Sequence, residues 1–436
     1  MTREASDATD AQTPLGLLTA IWVAYLLLPL HLLQQFRVTI SGWTIPIYYL
    51  FAVPPVLGLA LYAVLSKKEW GRVEAIWWLW PLVLLGSIVL SPSPGWSMRE
   101  AASWMLRGFA IGGMYLIWTT DSPLRILRWV YVAAVAAALG GLMEMGFDRN
   151  PLVDPLAVQS VAPTPEQTNP LYSPYRPGAR LPMTSPRPMG TQGNRIPYTA
   201  SILPFFALAL AFCARGGPWR WPHRLAALVL LSLLLLSGCL SVLIGLAALL
   251  CVYGITIGIG RKIIIAGIFA LAAVGGLWCV AVHSAPGWQN VFLKQTSIRH
   301  RLDSYRTVGA LKEHVVFGVG YGQYPNVYLP YYKGPLEHLP TPDNQYLRWL
   351  IETGAWGFAA LAGSIAWLIH AGRTRLKERQ DPDKSRTYDA LLAGWAGLAT
   401  SFLFFDGFYW GACNMTFWSF LGLWATCLKP RPAALR

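Results

Sequence analysis

Charged residues are scarce in this 436-residue chain. Asp, Glu, Lys and Arg make up only 13% of it, about half the share in an ordinary soluble domain, whereas 54% of the residues are hydrophobic. A chain this apolar has too few polar side chains to cover a surface in water, which excludes a soluble globular protein. The bilayer is the alternative solvent, and the abundance of Trp (21), Tyr (19) and Phe (17) fits a membrane interface.

Motifs for metals, nucleotides and disulfides are also missing. The sequence contains no HExxH, no Cys/His cluster with ligand spacing and no Walker motif. Its six cysteines lie in or beside apolar runs and form no CxxC pair, which favours small hydrophobic residues in helices. The glycines of GVGYGQY stand in the wrong context for a nucleotide site and predict a turn. The N-terminus lacks the basic start and cleavage site of a signal peptide, so we expect the first apolar run to be retained.

Apolar runs long enough to cross a bilayer recur along the chain. A spanning helix needs about 20 mostly apolar residues. We find twelve such runs, near 15–33, 46–65, 74–90, 101–119, 127–147, 196–214, 225–237, 239–259, 263–283, 352–371, 389–405 and 411–428. The seventh and eighth are too long together for one span and predict a hairpin through Ser237 and Gly238. The pattern predicts an all-α polytopic membrane protein with about 12 transmembrane helices and two long outer loops, partly helical.

Basic residues concentrate in alternate short loops. With the N-terminus in the cytoplasm, the short outer loops hold only Arg37 and Arg99. The inner loops and the tail hold Lys67, Lys68, Arg72, Arg125, Arg128, Arg215, Arg220, Arg224, Arg261, Lys262, Arg373, Arg375, Lys377, Arg379, Lys384, Arg386, Lys429, Arg431 and Arg436. This asymmetry predicts that both termini are cytoplasmic. It also accounts for the net charge of +14 without a nucleic-acid partner.

The two long loops divide the chain into five parts. These are five N-terminal transmembrane helices (1–147), a Pro-rich outer loop (148–195), helices six to nine (196–283), a large outer loop (284–351), and helices ten to twelve with a cytoplasmic tail (352–436). Proline blocks regular helix, so we expect the first loop to be an irregular cover. Disordered segments are poor in aromatics, so the many tyrosines of the outer loops predict that they are largely ordered.

Arginines in the outer loops are candidate ligands for an anion. The planar fork of arginine binds two phosphate oxygens at once. A solvated basic face that meets lipid headgroups would account for the excess equally well. Arg195, just before a span, and Arg301, in an expected helix near the membrane surface, are best placed for a lipid-linked diphosphate. Lower-ranked candidates are Arg187, Arg299 and Arg306.

His338 is a candidate general base. It lies just before a helix that is expected to enter the membrane, and an imidazole pKa near 6.5 suits proton abstraction at neutral pH. A lone histidine in a loop is more often simply solvated. Arg107 lies inside the fourth run, where a charge either faces the protein interior or snorkels from a helix end. The first outer segment, QQFRVTISGWT, has no carboxylate, which argues against a metal-dependent transferase that uses lipid phosphates.

The segment 297–357 resembles the shared domain of O-antigen ligases, O-antigen polymerases and related O-oligosaccharyltransferases. It contains SIRHRLDSY, FGVGYGQY and DNQYLRWLIETGAWG in that order, each moderately specific alone. The predicted topology extends the resemblance to most of the chain, because that family also has about twelve spans and a large outer loop before the last ones. The resemblance implies that the large outer loop, 284–351, is catalytic and periplasmic.

The family pattern is broken at one position. Members often carry His-Asn, nine further residues and then GxxG. Here Asn344 and the glycines at 354 and 357 fit, but Asp343 precedes Asn344 and the nearest histidine is His338. Two bases are therefore compatible with the resemblance, His338 or Asp343, and Asp343 can instead orient His338.

The resemblance implies a glycosyltransferase of lipopolysaccharide maturation. Such an enzyme transfers an O-antigen glycan from undecaprenyl diphosphate to a hydroxyl of lipid A–core oligosaccharide, at the periplasmic face of the inner membrane of a Gram-negative bacterium. It implies an inverting reaction with a histidine base, no metal and no cofactor, and arginines that offset the charge of the leaving diphosphate. An O-antigen polymerase or a protein O-oligosaccharyltransferase remains open. A secondary transporter or flippase fits the span count, although no two-fold repeat is evident.

Overall fold

The architecture is taken from a computed structural model of the chain. The structure describes residues 2–28, 37–40, 43–65, 72–119, 123–147, 151–152, 195–214, 220–258, 309, 311–328, 331, 344–377 and 382–429. Every structural statement below concerns these ranges.

Helices dominate the described chain. Its first half contains α1 (Thr2–Leu27), α2 (Ile47–Leu65), α3 (Arg72–Val89), α4 (Pro94–Trp104), a π-helical turn (Met105–Phe109), α5 (Ala110–Trp118) and α6 (Leu124–Phe147). Its second half contains α7 (Arg195–Cys213), α8 (Arg220–Leu236), α9 (Leu240–Thr256), α10 (Tyr324–Tyr328), α11 (Gln345–Lys377), α12 (Pro382–Ser401) and α13 (Gly411–Ala425). Single 3₁₀ turns cover Lys312–His314, Phe402–Phe404, Gly407–Tyr409 and Thr426–Leu428. The expected helical architecture is thus confirmed, with one addition, an antiparallel hairpin of β1 (Arg37–Ile40) and β2 (Trp43–Pro46).

Three described helices are long and apolar enough to cross a bilayer. They are Leu124–Phe147, Arg195–Cys213 and the Gln345–Leu376 part of α11. Shorter apolar helices cover Pro14–Leu27, Val53–Tyr62, Val73–Val89 and Leu240–Thr256. The predicted separation of α8 from α9 is confirmed, because Ser237 forms a turn and Gly238 has a φ of 60°. The count of twelve spans stays a prediction, since the run 263–283 lies outside the described residues.

The interior of the bundle is built around α13. All its residues from Ala412 to Ala425 are buried, as are all residues of α5, and a helix that is apolar on every side belongs in a protein core. Close backbone approach replaces large side chains at some crossings. Where α9 meets α12, a side chain on Gly245 would lie 2.7 Å from the Gly397 carbonyl oxygen. Small residues of this kind allow helices to pack tightly in a membrane, where the hydrophobic effect between helices is weak.

The described connections gather at two opposite ends of the bundle. We call one the site end. It holds the α3–α4 connection (90–93), the α8–α9 turn (237–239), the α12–α13 connection (402–410) and the first residues of α7 and α11. At this end the start of α13 contacts the start of α7, because the Cys413 thiol donates to the Pro197 carbonyl at 3.2 Å. The opposite end is tied by Lys429, whose ammonium lies 3.5 Å from the Glu74 carboxylate.

A break in α11 contacts the glycine-rich loop, which has the sequence GVGYGQY (318–324). Gly354 has φ 74° and ψ 173°, a conformation open only to glycine, and interrupts the helical geometry of α11. The carbonyls around the break accept bonds from the loop: Val319 N donates to Ile351 O (2.9 Å) and Gly320 N to Glu352 O (3.0 Å). In return Ala355 N donates to Val315 O at 2.6 Å. The predicted turn in GVGYGQY is confirmed, and Tyr324, Tyr328, Leu311, Val319 and Ile351 form a small buried core beneath it.

We predict that Gly354→Ala destabilises the protein by about 2 kcal/mol or more, because alanine is strained at this φ and ψ. Its methyl group would also lie 2.6 Å from the Phe317 carbonyl carbon. The measurement is the thermal unfolding midpoint of the purified protein in detergent. Gly363→Ala on the same helix is the matched control. A methyl group there meets nothing within 4 Å, so it should be neutral or stabilising by up to about 1 kcal/mol. Equal midpoints for the two variants would contradict the break as a structural requirement.

Candidate functional site

A polar cleft opens at the site end of the bundle. It encloses about 310 Å³ of space between atoms, its open mouth included. It is lined by Glu100, Ser103, Trp104, Arg107, Tyr321, Gln345, Arg348, Asp406, Phe408 and Tyr409. These residues come from α4 and the π turn, the glycine-rich loop, the first turns of α11 and the α12–α13 connection, so the cleft exists only when distant parts of the chain are assembled.

Arg348 joins two of these elements through a pair of carboxylates. Its Nε lies 2.8 Å from Glu352 Oε1, one helical turn further along α11, and its Nη1 contacts Asp406 Oδ2 in the α12–α13 connection. The side chains are 13%, 0% and 9% exposed in the order Arg348, Glu352 and Asp406. A buried ion pair adds little net stability, but removal of one partner costs about 3–5 kcal/mol because a buried charge is left unpaired.

Only one oxygen of each carboxylate, Glu352 and Asp406, has a hydrogen-bond partner among the described residues. Glu352 Oε1 also accepts a bond from the Tyr324 backbone N–H at 3.4 Å. The other oxygens, Glu352 Oε2 and Asp406 Oδ1, are buried and have no hydrogen-bond partner in the described part of the chain. Buried polar atoms are nearly always paired, so these two atoms call for an explanation. Asp406, unlike Glu352, lines the cleft.

The glycine-rich loop closes one wall of the cleft. Gln323 Nε2 donates to Ser93 O (3.3 Å) and to Ser97 Oγ (3.2 Å), and Trp96 Nε1 donates to Gly322 O at 3.3 Å. The loop is therefore held between α11 and the start of α4. Burial raises the pKa of the Tyr321 phenol well above its usual range, and the nearby Glu352 carboxylate raises it further. Tyr321 is neutral at physiological pH and acts here as a packing group.

Packed aromatic rings form the floor of the cleft. The Trp104 ring lies 5.4 Å from the rings of both Trp349 and Trp418 and 6.0 Å from Tyr321, measured between centroids. Large rings packed at these distances leave few rotamers open. The floor is consequently rigid, which holds the polar side chains above it in fixed positions.

Arg107 belongs to the cleft wall. The sequence left its role open between an interior charge and a snorkelling one. In the structure it lies on the π-helical turn, and its Nη1 donates to the Tyr409 carbonyl at 3.2 Å. π turns within helices occur often at functional sites, because the extra residue re-aims the side chains that follow.

Two of the predicted site residues fall within the described chain. Asn344 caps α11, since its Oδ1 accepts bonds from Tyr346 N (3.0 Å) and Leu347 N (3.1 Å). Its position in the motif is therefore explained by helix initiation. Arg195 begins α7 at the site end, close enough to Cys239 for its charge to act on that thiol, but it does not line the cleft. The other predicted residues lie outside the described ranges, namely His338, Asp343, Arg301, Arg187, Arg299 and Arg306.

Sequence reasoning missed the central group of the cleft. Arg348 falls within the predicted large outer loop, 284–351, but the sequence singled out neither Arg348 nor Glu352 nor Asp406 as a site residue. Signals were present: Arg348 and Glu352 stand four apart, on one face of a helix. Asp406 is the one acid in the apolar stretch FLFFDGFYWG, where a charge favours a specific partner. Among the described residues, no group of three His, Cys, Asp or Glu side chains is arranged to hold a metal ion.

The comparison with protein families identifies one segment of the chain. A family model described as O-antigen ligase matches residues 225–362. The match covers most of α8, all of α9, the glycine-rich loop and the first half of α11, so it includes Arg348 and Glu352. No curated protein sequence matches the chain. Residues 225–362 of the chain are therefore similar to the O-antigen ligase family.

Proposed function

We propose that this protein is an O-antigen ligase of the bacterial inner membrane. It transfers a glycan from undecaprenyl diphosphate to a hydroxyl of lipid A–core oligosaccharide. The observation that carries the proposal is the family match over 225–362, which implies a glycosyltransferase-like enzyme acting on lipid-linked glycans. The cleft adds support, because the matched segment supplies three of its polar or aromatic side chains, Tyr321, Gln345 and Arg348, at one end of an apolar bundle.

The charge distribution supports a working end that faces the periplasm. The opposite end of the bundle carries many basic residues, among them Arg125, Arg128, Arg220, Arg224, Arg373, Arg375, Lys384 and Arg386. The site end carries both acidic and basic side chains, as the lining of the cleft illustrates. Short loops rich in Lys and Arg stay in the cytoplasm, so the opposite end is proposed to be cytoplasmic, with both termini.

The donor is proposed to bind through arginines outside the cleft. Arg195 at the start of α7 and Arg301 are assigned to the diphosphate, with Arg187, Arg299 and Arg306 as further contacts. Arginine in a water-poor site stabilises the charge that develops on a departing diphosphate. That leaving group is already stable, so the proposed reaction requires no metal and no nucleotide.

The acceptor hydroxyl needs a base, and His338 is proposed for this role. It stands six residues before Asn344, the cap of α11, and six residues reach at most about 21 Å. The chain length alone therefore keeps His338 within about 21 Å of the start of α11, whose first turns line the cleft. Attack by the activated hydroxyl opposite the diphosphate inverts the anomeric carbon. Asp343 is the alternative base.

Purified wild-type protein is predicted to join the two lipid substrates without any cofactor. The assay combines undecaprenyl-diphosphate-linked glycan with lipid A–core in detergent or nanodiscs and follows the product by gel and mass spectrometry. A chelator should leave the rate unchanged. Elongated lipid-linked glycan in place of modified core would instead identify a polymerase. Transport of glycan lipid across proteoliposomes without any transfer would refute the enzyme.

Single variants in the same assay are predicted to separate base from anion contacts. His338→Ala should lower kcat by roughly 10²- to 10⁴-fold, the usual contribution of a general base. Arg195→Ala and Arg301→Ala should raise the donor KM about tenfold or more, because each removes a charged hydrogen bond. The controls are His370→Ala and Arg128→Ala, whose side chains are exposed at the opposite end. Near-normal turnover by His338→Ala would reject it as base and leave Asp343 to be tested.

A further inference from the structure

Asp406 lines the cleft and has an acceptor atom without a partner. Its Oδ2 is occupied by Arg348, whereas Oδ1 is buried and has no partner among the described residues. The side chain is only 9% exposed, so water has little access to it. A buried carboxylate oxygen without a donor is costly, and a ligand that donates a hydrogen bond removes that cost.

The charges of the cleft disfavour a diphosphate in it. Two cations, Arg107 and Arg348, face two acids, Glu100 and Asp406. Arg348 already pairs with Asp406 and with the fully buried Glu352, so these two carboxylates neutralise its positive charge and it attracts a further anion only weakly. A ligand with several negative charges would meet Asp406 across a poorly solvated gap, where repulsion between like charges is strong. A neutral ligand that carries hydroxyl donors avoids this repulsion.

The walls of the cleft suit a sugar ring. Tyr409 is 58% exposed at the mouth, while Phe408 and Trp104 are buried deeper along the wall. The negatively polarised face of an aromatic ring attracts the C–H groups on one face of a pyranose. The enclosed part of the cleft has room for a water-sized group only, about 20 Å³, so a hydroxyl enters it while the sugar ring stays at the open mouth.

We infer that the polar cleft is a saccharide subsite, in which a sugar hydroxyl donates to Asp406 Oδ1 and the ring lies against Tyr409. The inference rests on the proposed glycan transfer and assigns the sugars and the diphosphate to separate places. Arg348 is the positioning residue, because its contact with Oδ2 fixes the carboxylate and leaves Oδ1 as the acceptor for a ligand. The sugar comes from one of two sources, the first residue of the donor glycan or the accepting residue of the core.

The test uses Asp406→Asn in the full-length protein. The amide keeps the shape of the side chain and an oxygen for Arg348, but it presents no carboxylate to the cleft. We expect the KM of one glycan substrate to rise about tenfold or more, and the affected substrate identifies the source of the sugar. Asp389→Asn, in α12 near the opposite end of the bundle, is the matched control and should leave both KM values unchanged.

A binding measurement keeps the inference independent of turnover. Core oligosaccharide freed from lipid A, and O-antigen glycan freed from its carrier, are titrated by calorimetry into wild type and Asp406→Asn. One of the two should bind the wild type and lose about tenfold in affinity in the variant, while inorganic pyrophosphate binds both equally. Wild type that binds a glycan but transfers none would reject the ligase and keep the subsite.

The opposite pattern would overturn the subsite. Tighter binding of pyrophosphate by Asp406→Asn would identify an anion site, because the substitution removes a repelling charge. Unchanged KM and affinity for both glycans would reject the inference while leaving the ligase standing. If Asp406→Asn unfolds at a much lower temperature, Tyr409→Leu replaces it. This exposed ring bears little on folding, and its loss should weaken the same glycan; no effect on either glycan would reject the subsite.

Discussion

The pairing of Arg348 with Glu352 and Asp406 is the constraint on which the site depends. A guanidinium this deeply buried is tolerated only because both carboxylates reach it, one from the same helix and one from the α12–α13 connection. Each of the two ion pairs therefore fixes the position of a structural element in addition to its contribution to stability. The pair along α11 fixes the direction of Arg348, and the pair to Asp406 fixes a connection between two helices of the bundle.

The break at Gly354 holds the glycine-rich loop against α11 beside this pairing. A continuous helix would use its own backbone carbonyls, whereas the interrupted α11 offers those of Ile351 and Glu352 to the glycine-rich loop. Tyr321 and Tyr324 then cover the ion pair, and Tyr324 N donates to Glu352. The family motifs are thus parts of one assembly, in which Asn344 starts the helix, Arg348 and Glu352 carry the charges, and Gly354 opens the backbone.

Part of this arrangement was predictable from the sequence. Apolar runs predicted the helices, and Ser237–Gly238 predicted a turn, because these features depend on local composition. The helix expected to enter the membrane just after His338 corresponds to α11. The apolar surroundings of Asp406 indicated a specific partner, but the identity of that partner was not predictable, since Arg348 stands 58 positions away and no local pattern encodes the pairing. The role of Arg107 was ambiguous for a similar reason, because its partner, the Tyr409 carbonyl, stands 302 positions away.

The most direct test of this account is the stability of Arg348→Met beside that of the triple variant Arg348→Met/Glu352→Gln/Asp406→Asn. The account predicts that Arg348→Met alone loses about 3–5 kcal/mol, because two buried carboxylates lose their partner. Neutralising both acids should recover much of that loss, whereas exposed Arg128→Met should change little. Thermal unfolding in detergent measures all four proteins. An unfolding temperature for Arg348→Met equal to that of the wild type would contradict the central role of the pairing.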